Sequence, residues 1–127
     1  MKKPYTMALP MFAGMAIGAV AIQALHAQAQ RPVYMIAVNE VTNAEGYVRE
    51  YVPPAQASLK AHGGTYVAEG LVTVIDGSLP GKRAIVVRWD SLDQVKAWFG
   101  SPEYRMARVA GDKYAKFNIV VVDGVKQ

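Results

Sequence analysis

The chain of 127 residues contains no cysteine. That absence excludes thiol nucleophiles, iron–sulfur clusters, Cys-ligated zinc and every disulfide. Histidine is nearly missing too: of two, only His62 lies beyond the first thirty residues, so one subunit cannot assemble a multi-histidine metal site. From Pro4 to Gln30 there is no Asp, Glu, Lys or Arg. Nowhere does a basic stripe or tail form. The Lys and Arg residues after position 30 are scattered singly or in pairs, which excludes a nucleic-acid footprint. No phosphate loop, nucleotide fingerprint, EF-hand, zinc pattern or G-x-S-x-G elbow occurs.

The charge-free beginning has an order of its own. Lys2 and Lys3 precede an apolar run of Ala, Gly, Met, Ile and Val, and Ala27-Gln28-Ala29 supplies the small-residue exit that a signal peptidase needs. Residues 1–29 therefore read as a secretory signal peptide, and the protein as exported, periplasmic or secreted, with no membrane attachment once the peptide is cleaved. An uncleaved anchor is the alternative. Pro10 and Gln23 interrupt the run, which barely reaches the roughly 20 residues of a comfortable span. Without Lys2 and Lys3, twelve Lys and Arg stand against ten Asp and Glu, a net charge near +2. Residues 30–127 are then a single domain of roughly one hundred residues, which must fold on an apolar core alone.

Within that domain the apolar periodicity alternates between two and 3.6. Residues 33–39 are apolar on both alternating sets, as a strand buried on both faces would be. Thr42 or Asn43 caps a helix whose face carries Tyr47, Tyr51, Ala55, Leu59 and His62. Pro53-Pro54 is expected to kink it into two pieces, and Gly63-Gly64 ends it. Residues 65–76 read as one bent strand and residues 83–89 as its partner, joined by a turn at Asp76-Gly77 and Leu79-Pro80-Gly81. Ser91 with Gln94 starts a helix that Gly100 stops. Ser101, Pro102 and Glu103 start another, which Gly111-Asp112 is expected to break. Residues 116–122 form the last strand.

The order β-α-β-β-α-β, with its second helical region divided, predicts an α+β fold. It is a ferredoxin-like sandwich with a four-stranded antiparallel sheet and helices on one face. Since the strands are apolar on both faces, the face without helices needs a cover, and a second copy of the chain is the simplest one. A homodimer through the open sheet face is the expectation.

The pieces Val33-Tyr34-Met35-Ile36-Ala37, Tyr51-Val52-Pro53-Pro54, His62-Gly63-Gly64-Thr65-Tyr66 and Trp98-Phe99-Gly100-Ser101-Pro102-Glu103-Tyr104 fall in one order, closed by Val120-Val121-Val122-Asp123-Gly124. Together they resemble the domain-of-unknown-function family 1330 (DUF1330) of the dimeric α/β-barrel superfamily, over about residues 32–124. The resemblance implies a ferredoxin-like protomer whose sheets pair into a barrel. It implies no particular reaction, because the superfamily spans cofactor-free monooxygenases, haem-binding enzymes and small-molecule isomerases or lyases.

A short set of side chains is able to carry chemistry. His62 suits a general base or a single haem ligand, and equally an imidazole bonding the free carbonyls at a helix C-terminus. Arg88, on an apolar strand, either meets an anion or reaches solvent near the strand end. Tyr34, Tyr51, Tyr66, Trp98 and Tyr104 suit an aromatic ligand pocket or an ordinary core and interface. Tyr104 follows a helix cap whose free N–H groups can hold a ligand oxygen, and Glu103 beside it suits the helix dipole. Asn39 and Asn118 read as locally bonded strand polars. The residues call for no cofactor or metal. They fit a binder of a small organic molecule, with a cofactor-free monooxygenase- or isomerase-like enzyme and haem binding through His62 as alternatives. Candidate catalytic residues are His62, Arg88 and Tyr104; candidate ligand contacts are Tyr34, Tyr51, Trp98 and Tyr104.

Overall fold

The computed structural model describes residues 31–126, so the expected signal peptide at 1–29 lies outside the described residues. Strand β1 (Val33–Ala37) is central to a sheet that also holds β3 (Thr65–Leu71), β4 (Arg83–Trp89) and β6 (Ile119–Asp123) in the order β3-β4-β1-β6. All pairings are antiparallel. Two helical crossovers and one hairpin between β3 and β4 give the ferredoxin-like topology expected from the sequence. Two short strands outside that plan, β2 (Glu40–Val41) and β5 (Ala115–Lys116), pair with each other. They are two residues long, too short to leave a period-two signature.

The first crossover is one helical run in three parts: α1 (Ala44–Gly46), a π-helical turn (Tyr47–Tyr51) and α2 (Val52–Ala61). Asn43 caps its start, its side-chain oxygen accepting the Gly46 N–H at 3.0 Å. The expected kink at Pro53-Pro54 is resolved as a π turn placed just before them. The Val52 N–H donates to the Tyr47 carbonyl, five residues back, and the prolines occupy the first positions of α2, where their missing N–H groups cost least. Gly63, at φ +96°, takes the left-handed position past the helix end.

The second crossover is α3 (Leu92–Phe99) and α4 (Pro102–Tyr114). Ser91 and Ser101 cap them, accepting the N–H groups of Gln94 and Tyr104 at 3.2 Å each. The break expected at Gly111-Asp112 does not occur, and α4 continues to Tyr114. Gly111 is there for close approach: a Cβ on it would stand 2.5 Å from Tyr51 Cδ1 and 2.8 Å from Phe117 Cζ. The expected single bent strand over 65–76 is shorter. It carries a bulge between Tyr66 and Ala68 and ends at Leu71, after which residues 72–82 form a loop closed by the Val72 N–H on the Lys82 carbonyl at 2.8 Å.

The core sits between one sheet face and the helices. Met35 of β1 faces Val87 of β4, and Val33 faces Trp89. With Tyr104 of α4, residues Trp89, Met35 and Val87 are the largest fully buried side chains. The alternate set on the same strands, Tyr34, Ile36, Val86, Val120 and Val122, points away from the helices.

Candidate functional site: a cavity between sheet and helices

A cavity of about 470 Å³ opens between the sheet and the first crossover. Its floor is Met35, Ala37 and Ile85 from the inner sheet face, and its roof is Tyr47, Tyr51, Val52, Ala55 and Leu59 from the helical run. Trp98 and Ile119 close the far end. Asn39, Gln56, Tyr66, Glu69 and Arg83 bring polar groups to an otherwise apolar wall. Volume and lining are those of a small-molecule site.

Hydrogen bonds hold the aromatic wall still. The Tyr51 and Tyr104 hydroxyls meet at 2.8 Å in the buried core. Trp98 donates its indole N–H to Ser58 Oγ at 3.1 Å, and Ser58 in turn donates to the Ala55 carbonyl at 2.8 Å. Asn39 donates to the Tyr47 hydroxyl at 3.1 Å and accepts the Asn118 N–H at 3.1 Å. Tyr47 and Tyr51 pack with their rings tilted by 31° and their centroids 4.9 Å apart. Each aromatic is thus oriented from behind, leaving the hydroxyl proton of Tyr47 free to be donated.

The wall is a neutral one at ordinary pH. Burial pushes the Tyr51 phenol well above its usual range, and the neighbouring Tyr104 adds to the rise. Burial likewise raises Tyr47, against a smaller opposing effect of its bond from Asn39. Tyr66 is raised by burial and then by the Glu69 carboxylate, with the polar Gln56 side chain working the other way. Glu69 is the one carboxylate and Arg83 the one guanidinium among the described lining residues.

The residues singled out from sequence divide across the fold. Tyr51, Trp98 and Tyr66 line the cavity, and Tyr104 stands behind Tyr51. Tyr34 and Arg88 are paired neighbours on the opposite sheet face, where Arg88 reaches Asp90 at 3.1 Å. His62 is the C-terminal cap of α2, its Nδ1 2.9 Å from the Ser58 carbonyl and its Nε2 4.0 Å from Glu103. It is not among the lining residues, and neither is Glu103. Asn39 and Asn118 bond locally, Asn118 Nδ2 donating to the Val38 carbonyl at 3.1 Å. Sequence reasoning assigned no role to Tyr47, Gln56, Glu69 or Arg83. Tyr47 was findable, four residues before Tyr51 on the same helix face. The other three are ordinary surface residue types until the fold brings them to one mouth. Among the described residues no three His, Asp or Glu side chains gather as a metal site requires.

A four-stranded antiparallel sheet with helices over one face and a ligand-sized cavity between them defines the fold class, a ferredoxin-like α+β sandwich. The model of the family described as "Domain of unknown function (DUF1330)" matches residues 32–125, and the chain belongs to that family. No curated protein matches it. Among solved structures, a protein of unknown function from Rhodopseudomonas palustris aligns at TM-score 0.63 and 17% identity, covering 77% of this chain and 85% of that one. SnoaB from Streptomyces nogalater, a cofactor-independent oxygenase, aligns at TM-score 0.57 and 12% identity, covering 76% and 96%. A Caulobacter crescentus protein whose name proposes an antibiotic biosynthesis monooxygenase aligns at TM-score 0.54 and 18% identity, covering 77% and 93%. At these identities the likeness is one of fold.

Proposed function

We propose that this protein is exported, that it binds a small, mainly apolar organic molecule between its sheet and helices, and that it works as a homodimer closed through the bare sheet face. The observation that carries the ligand reading is the cavity of about 470 Å³, apolar on floor and roof, with locked aromatics and few polar tips. A planar or alicyclic body fits against Met35, Tyr51, Leu59 and Trp98. A carbonyl or hydroxyl on it meets the Tyr47 proton, Tyr66 or Gln56. The dimer reading rests on Val67, Val120 and Val122, apolar and exposed on or beside the outer sheet face.

Native mass spectrometry of the protein taken from its own periplasm or medium tests all three parts. A dimer carrying a small molecule, with a chain starting near residue 30, is the expected result. A monomer without ligand, together with no thermal shift across a panel of aromatic ketones and quinones, overturns the binding and dimer readings.

A catalytic reading has one specific support: the single carboxylate at the cavity, Glu69, on a fold shared with a cofactor-independent oxygenase. In that reading Glu69 takes a proton from the bound substrate, and the neutral phenols stabilise the anion that forms. Glu69→Gln then retains ligand binding and abolishes turnover, followed as oxygen uptake or product formation. Equal rates in the two proteins remove the catalytic reading and leave the binder.

A further inference from the structure

A second concavity, also about 470 Å³, lies between α3, α4 and β6. Val95, Phe99, Phe117 and Val121 give it an apolar surface, and Trp98 and Ile119 form a wall common to it and the main cavity. Among the described residues its charged lining is Lys96 and Arg108. We infer that this groove is a binding site for a small organic carboxylate with an apolar, aromatic body.

The case rests on how Arg108 is held. Its side chain is only 19% exposed, and its guanidinium lies 3.8 Å above the Phe117 ring, which fixes its plane. Asp112 takes the Nε edge at 3.1 Å. The terminal N–H groups make no hydrogen bond within the protein among the described residues and are not sealed from solvent, so a ligand in the groove can take them in place of water. A carboxylate in the groove supplies the matching oxygen pair, in the forked geometry guanidinium prefers. Lys96 adds a second positive charge, and no lining carboxylate among the described residues opposes it. Trp98, Phe99 and Phe117 give an aromatic body faces and edges to pack on.

The test is a titration of the isotope-labelled full-length chain with 2-naphthoate and, separately, with its neutral methyl ester, followed by NMR. Naphthoate is expected to shift the Gly100 amide and the Arg108 Nε–H, and to bind roughly tenfold tighter than the ester. Arg108→Gln is expected to erase that preference. Lys96→Gln, at an exposed position, weakens naphthoate a few-fold without touching the core, and decides the matter with the ester comparison if the Arg108 variant fails to fold. Equal affinity for acid and ester, or no shift at millimolar naphthoate, overturns the inference. So do shifts at Tyr47, Gln56 and Tyr66 alone, a result that would favour the main cavity instead. Gly100 shifts that follow protein concentration without ligand assign the groove to a second copy, and overturn it too.

Discussion

The two faces of the sheet are built from the same strands with the same kinds of residue, and they end in opposite circumstances. On the inner face Met35 is 1% and Val87 0% exposed, packed under the helices. On the outer face Val120 is 59% and Val122 52% exposed. Residue type does not distinguish them, since valine occupies both. The difference lies in where the two helical crossovers pack: Tyr51, Leu59, Trp98 and Tyr104 from both of them join Met35, Val87 and Trp89 of the inner face in one core. Among the described residues nothing covers those outer valines.

Breaking the inner face should have the largest effect. Trp89→Ala removes a fully buried indole and is expected to cost about 3–5 kcal/mol, read by denaturant unfolding. Gly64→Ala comes next. Its Cβ would stand 2.6 Å from Leu59 Cδ2 and 2.9 Å from Trp89 Cζ2, so overpacking should cost about 1–3 kcal/mol. Tyr51→Phe leaves the Tyr104 hydroxyl without its 2.8 Å partner in the core, at a cost of about 1–3 kcal/mol. On the outer face, Val120→Glu with Val122→Glu should change protomer stability by no more than about 0.5 kcal/mol each. The same pair should turn a dimer into a monomer in analytical ultracentrifugation. Unfolding of the protomer instead would show that the outer face is not a docking surface.

Alkali sharpens the comparison from another side. Burial raises the Tyr51 and Tyr47 phenols of the inner layer above the ordinary phenol value of about 10, so the folded state holds their protons longer than the unfolded chain does. Their contribution to stability is complete below that value and declines as pH rises above it. Urea midpoints measured upward from pH 9 should therefore fall beyond about pH 10, and Tyr51→Phe should flatten the fall. An unchanged slope in the variant would separate the alkaline decline from Tyr51.

Much of the fold was legible because its signals are local. Ser91, Ser101, Asn43 and Gly63 act on the residues beside them, and each does in the structure what its chemistry predicts. Misreadings arose where a distant contact outweighed a local preference. Gly111 has the look of a helix breaker, yet it stays helical because Tyr51 and Phe117 leave no room for a Cβ. Pro53-Pro54, by contrast, act locally: the helical run divides at the π turn just before them. The site was less legible than the fold. Tyr51 and Trp98 were visible as aromatics at helical spacing, whereas Gln56, Glu69 and Arg83 carry no pattern that marks a cavity mouth.

The sequence by itself determined the order of the four sheet strands and the two crossovers, the helix starts, the two-faced strands and the want of thiol or multi-histidine chemistry, because each depends on residue identity and short-range spacing. Only the tertiary structure decided which set of alternating side chains meets the helices and which aromatics join. The Tyr51–Tyr104 contact spans 53 residues and the Trp98–Ser58 contact 40. Contacts of that range follow from packing all the elements at once, and periodicity along the chain does not encode them.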